Sequence, residues 1–91
     1  MYHILPYTYK KAQELHVNVY PSKNPKYKID VYKNNQFICN IGSSGYKDFP
    51  THFQENGLEY ALKRRILYKK RHERDRHKVG SRGWYADNLL W

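Results

Sequence analysis

Residues 26–41 read KYKIDVYKNNQFICNI, and this stretch decides the fold class. Tyr27, Ile29 and Val31 alternate with Lys28, Asp30 and Tyr32, the period of two that puts one set of side chains on each face of a half-buried strand. Asn34-Asn35 follows, and asparagine tolerates the positive φ that a two-residue hairpin turn demands. Residues 36–41 then predict the returning strand, with Phe37, Cys39 and Ile41 sharing a face. An antiparallel hairpin is the element from which the rest is read.

Upstream, residues 16–20 alternate again, with β-branched Val17 and Val19, and predict a further strand stopped by Pro21; residues 22–25 are then a turn. Before it, residues 8–15 after Pro6 predict a short helix with Thr8 as its N-cap. Downstream, Gly42 to Gly45 predicts a flexible link into a loop at residues 46–50. Thr51 with Gln54 and Asn56 with Glu59 are two successive capping patterns, predicting a short helical turn and then a long helix from about residue 57 to 76. In that helix Leu58, Ala61, Leu62, Arg65 and Ile66 fall near one stripe for packing, which leaves Lys63, Arg64, Lys70, Arg71 and Arg74 outward. Residues 84–91 are too apolar for a free tail and predict a last helical turn docked on the core, since burying Trp91 is worth about 2–3 kcal/mol.

The expected architecture is therefore α+β: a small antiparallel hairpin or three-stranded sheet packed on one long basic helix, with short helical segments at both ends. A chain of 91 residues is short enough to form a single domain over residues 1–91, burying about 60–65% of its unfolded surface, which leaves little room for a deep substrate cavity. An apolar fraction of 40%, with ten Tyr, three Phe and two Trp, is more than a disordered basic tail carries. The one cysteine, Cys39, falls at an inward strand position and excludes an intramolecular disulfide; an inert thiol in a reducing compartment is expected. No apolar run is long enough to span a bilayer, and residues 1–9 lack the pattern of a signal peptide, so the expectation is no membrane and no secretion.

Seventeen Lys and Arg against eight Asp and Glu give a formal net charge of +9, and its placement is uneven. Residues 63–78 alone hold nine basic and two acidic side chains. On a helix, Lys63, Arg64, Arg65, Lys69, Lys70, Arg71, Arg74, Arg76 and Lys78, with His72 adding charge at acidic pH, make a ridge about 20 Å long. That matches a phosphate track, which gives salt-dependent affinity for DNA or RNA without base readout. The plainer alternative is a solvated or protein-facing helix.

Tyr60, Tyr68, Tyr46 and Trp84 could stack on unpaired bases, although aromatic residues at helical spacing more often belong to a core. His72 and His77 are five apart, too far for a same-face zinc pair, so no metal is expected. No Gly-rich phosphate loop, nucleophile elbow or paired carboxylates occur; the chain is expected to be no enzyme and to need no cofactor.

Gly42 with Gly45-Tyr46, Asp48-Phe49, Arg64-Arg65, Tyr68, Arg71-His72, Gly83-Trp84-Tyr85 and Leu89-Leu90-Trp91 together resemble a family of small basic proteins encoded by large DNA viruses and some phages. The resemblance covers about half of the chain. It implies a virion or viral-factory role, and so a virion or host-cell cytoplasm or nucleus as location, but no activity. Asp48 reads as structural, pairing with one of the arginines. The expected function is non-enzymatic nucleic-acid binding through the basic helix, with genome packaging as its context. The alternative is a minor capsid adaptor that binds other virion proteins through the same helix and its rings.

Overall fold

A computed structural model describes all of residues 1–91. The chain is α+β, with four helices and one three-stranded antiparallel sheet. It divides into two compact units, Met1–Tyr46 and Lys47–Trp91.

The first unit opens with helix α1, Pro6–Leu15. The expected Thr8 cap is corrected: Pro6, whose fixed φ and missing N–H suit the first helical position, starts the helix two residues earlier, with extended Leu5 at the cap position. The Leu5 carbonyl accepts from the Thr8 amide at 3.0 Å, and Thr8 itself is fully buried. His16 ends α1 in the left-handed conformation at φ 58°, and the Val17 amide reaches back to the Ala12 carbonyl at 3.0 Å. Because His16 is used as a helix cap, strand β1 begins later than expected, at Asn18–Pro21. Pro21 ends it as expected, but as its last residue: β1 is an edge strand, where a missing N–H is tolerated, and Pro21 lies opposite Ile29.

Strands β2, Tyr27–Lys33, and β3, Gln36–Ser43, form the hairpin expected from the alternation. Asn34 and Asn35 turn it at φ 52° and 64°. The sheet order is β1-β2-β3, and Val19, Ile29, Val31 and Ile41 are buried on one face. Two details differ from the expectation. Val31 lies opposite Cys39 while the next residue, Tyr32, lies opposite Phe37, so one extra residue, Ile38, is accommodated in β3 as a bulge. The bulge separates Phe37 from Cys39 and Ile41 and puts it beside Tyr32, ring centroids 5.6 Å apart. The second difference is in β2, whose outer face is covered at its centre. Lys28 and Asp30 are both 7% exposed, the Lys28 ammonium lying 5.5 Å from the Tyr2 ring centre. The Asp30 carboxylate accepts from Ser22 Oγ at 2.6 Å and from the Lys23 amide at 3.3 Å, which fixes the β1–β2 turn.

The second unit holds helices α2, Phe49–Asn56, α3, Leu58–Arg71, and α4, Arg82–Leu90. Asp48, not Thr51, caps α2: its carboxylate accepts from the Thr51 amide at 3.0 Å, and Pro50 sits in the first turn, where no N–H is missed. The structural role expected of Asp48 is thus that of a cap. Gly57, at φ 87°, joins α2 to α3 without a side-chain cap, so Asn56 does not begin the next helix.

The long basic helix is shorter than its charge pattern suggests. It ends at Arg71, and residues 72–81 fold back in turns; α4 then runs nine residues, more than the single turn expected. Local side-chain bonds compete with helix here: His77 and Arg76 both reach Glu73, at 2.6 and 2.9 Å, and Arg76 Nε donates to the Lys69 carbonyl at 3.3 Å. Ser81 Oγ caps α4 by accepting from the Trp84 amide at 3.2 Å. The packing stripe of α3 is also rotated from the expected one. Ala61 is buried as expected and Tyr68 is buried with it, whereas Leu58, Leu62 and Ile66 are 40–57% exposed. The unit's interior is completed by Phe49, Tyr85, Leu89 and Leu90, beside which a run of rings leads from exposed Tyr60 through His52, Trp91 and Tyr68 to half-buried His72, each in contact with the next.

Candidate functional site

The basic segment begins on α3 and continues through the turns that follow, so its ten candidate residues do not form one straight ridge. Lys63, Arg64, Arg65, Lys69, Lys70 and Arg71 belong to the helix; His72, Arg74, Arg76 and Lys78 belong to the turns. At 1.5 Å per residue the helical part, residues 63–71, is about 13 Å long.

Three of the cations are used inside the unit. The Arg65 guanidinium lies flat on the Phe49 ring, 3.8 Å from its centre, and Nε donates to the Trp91 carbonyl at 2.8 Å. Lys69 Nζ meets the Asp87 carboxylate at 2.6 Å, and Arg76 approaches the other oxygen of Asp87 at 3.8 Å while also binding Glu73. Asp87 is only 11% exposed, so this acid on α4 holds two cations from α3 and the turn behind it. Arg64 is half-buried, with its Nε enclosed and without a hydrogen-bond partner. His72 is half-buried and stacked on Tyr68, centroids 4.4 Å apart, with Nδ1 3.5 Å from Asp75.

Five cations remain at the surface: Lys63, Lys70, Arg71, Arg74 and Lys78. Lys63 has a loose, exposed contact with Glu59 at 3.9 Å, and the other four have no ion pair within the chain. The acids between them are engaged elsewhere. Glu73 is held below the usual carboxylate range by hydrogen bonds from His77 and then Arg76, so it stays ionised but turned to those partners. The segment therefore presents positive charge that its own acids do not neutralise.

The aromatic candidates separate in the same way. Tyr68 is core, stacked on Trp91 at 4.3 Å and 10°, and burial pushes its hydroxyl up to about 12. Trp84 is half-buried against Tyr85, Tyr60 leans on His52, and Tyr46 is exposed at the end of the first unit. Cys39 is half-buried opposite Val31. Sequence reasoning missed His52, which is 6% exposed with Nδ1 unpartnered; burial, and then the charge of Arg64, lowers its pKa below the ordinary histidine value. No group of three or more His, Cys, Asp and Glu is placed to hold a metal ion, and no helix is long and apolar enough to cross a membrane.

Compared with known proteins, the chain matches no family model, no curated protein and no solved structure.

Proposed function

We propose that this chain is a non-enzymatic nucleic-acid-binding protein that contacts phosphates through Lys63, Lys70, Arg71, Arg74 and Lys78. The observation that carries the reading is the set of exposed cations on one short segment, four of them without an ion pair while Glu73 and Asp75 face other partners. Exposed cations without ion-pair partners at this density attract a polyanion and release its counterions on contact. Such binding has low sequence preference, and DNA and RNA both fit it. The likeness to small basic viral proteins supports genome packaging, in a virion or in the cytoplasm or nucleus of an infected cell, as the setting.

The test is anisotropy of labelled duplex DNA titrated at several salt concentrations. Five phosphate contacts give a log-log slope of about −4.5. Arg71→Ala with Arg74→Ala lowers that slope by about 2 and leaves the fold unchanged, since neither side chain makes an internal ion pair. A flat salt dependence, or a double variant that binds like the parent, rules the assignment out.

A second reading has its own observation. Leu62, Ile66 and Leu67 are 40–57% exposed on α3, on the same helix as Lys63 and Lys70, a mixture of apolar and basic side chains suited to a protein partner. Under that reading the chain is a virion adaptor that binds acidic protein surfaces. It would stay with the shell of particles emptied of genome, whereas a packaging protein would leave with the nucleic acid.

A further inference from the structure

The sheet face shared by Lys28 and Asp30 is covered at those two residues but elsewhere carries an array of rings that the basic segment does not explain. Tyr20 on β1, Tyr32 on β2 and Phe37 on β3 lie side by side across the three strands, with neighbouring centroids 5.5 and 5.6 Å apart. Tyr20 and Phe37 are each 51% exposed. The array exists because of the Ile38 bulge: with regular pairing Phe37 would share the face of Cys39 and Ile41.

We infer that this face is a stacking platform for the bases of a single-stranded nucleic acid. This rests on the nucleic-acid reading above and assigns it a substrate class. The rings meet at 83° and 73°, and an edge-to-face contact uses at most one face of one ring in each pair, so ring surface remains for a base. Charge selects the occupant. Residues 1–46 hold six Lys against Glu14 and Asp30, and Asp30 is buried against Ser22 and the Lys23 amide, so the unit that carries the rings is cationic. Asn18, exposed opposite Tyr32, puts an amide on the same face, where it can bond a base edge. An apolar protein patch would need no such excess of charge; exposed rings on a cationic unit suit unpaired bases on a phosphate backbone.

The experiment compares three labelled probes of one length on the full chain: single-stranded DNA, the same strand without bases, and duplex. The parent should bind the single strand at least tenfold more tightly than the abasic strand. Tyr20→Ala with Phe37→Ala should weaken single-strand binding about tenfold or more and change duplex and abasic binding less than twofold. Tyr20→Phe with Phe37→Tyr keeps the rings and should bind as the parent does, which guards against a loss that comes from unfolding. Equal binding of the strands with and without bases overturns the platform without any substitution. If the ring variants bind all three probes as the parent does, while Arg71→Ala with Arg74→Ala weakens all three, the face is protein-facing or bare and only this inference falls. If no probe binds at low salt, the nucleic-acid reading falls with it.

Discussion

At the scale of single residues, His52 carries the sharpest consequence of packing. Its ring sits between Tyr60 and Trp91, at 5.5 and 6.0 Å, with Nδ1 shut away from water and the Arg64 charge nearby. The folded state therefore disfavours the imidazolium, while the unfolded chain takes up a proton near pH 6.5. Below that pH the unfolded state binds more protons, so this stability is whole above pH 6.5 and is lost as pH falls through it toward the depressed folded value. Melting temperature measured from pH 8 to 5 should begin to drop near 6.5, and His52→Phe, which keeps a ring in place, should flatten the drop. An unchanged profile in the variant would mean that other groups cause it. Little of this was legible in advance. Both His52 and the pairing of Asp87 with Lys69, eighteen residues away, depend on chain segments meeting in space, and no local pattern announces them.

At the scale of elements, legibility follows how local the deciding forces are. The β2–β3 hairpin was read correctly because alternation and the Asn34-Asn35 turn lie within sixteen consecutive residues. The packing face of α3 was misread because Leu58, Leu62 and Ile66 are its most apolar residues at helical spacing. Of the expected stripe only Ala61 and Arg65 pack inward, the Arg65 guanidinium lying on Phe49, and Tyr68 joins them from outside the stripe. The end of α3 depends on an element far along the chain. α4 passes so close to the turn at Asp75 that a Cβ on Gly83 would lie 2.4 Å from the Asp75 carbonyl oxygen, a backbone atom that a rotamer change cannot move. Gly83→Ala should thus destabilise by about 2–3 kcal/mol, against a helix-propensity gain of about 1 kcal/mol for the same change at an uncrowded site. Chemical denaturation measures it; a stabilised variant would show that the two segments separate at no cost.

At the scale of the whole molecule, a net charge of +9 on 91 residues works against compactness, and the fold relieves it only in part. Asp87 shields Lys69 and Arg76 inside the second unit, Asp48 is enclosed at the start of α2 and Asp30 is enclosed in the first unit, so three of the eight acids are withdrawn from the surface and cannot offset its exposed cations. Two opposite effects of salt then compete. Screening weakens repulsion among exposed cations such as Lys70, Arg71, Arg74 and Lys78, which stabilises the folded state; it also weakens attractive pairs, but Lys69 with Asp87 is largely shielded from solvent and exposed pairs such as Lys63 with Glu59 contribute at most about 1 kcal/mol. Repulsion should dominate, so melting temperature should rise by several degrees between about 0.01 and 0.2 M sodium chloride, where the Debye length falls from about 30 Å to below 10 Å. A bound polyanion does the same by a different route. A single-stranded oligonucleotide at a hundred times its dissociation constant should add about 2.7 kcal/mol at low salt, and that gain should shrink as salt rises because the counterion-release term is lost. The two curves therefore converge: the free protein becomes more stable with salt and the complex less so. Curves that rise in parallel would mean that the oligonucleotide is held by ring stacking with little help from the basic segment, and a melting temperature of the free chain that falls with salt would mean that its internal ion pairs outweigh the repulsion among its surface cations.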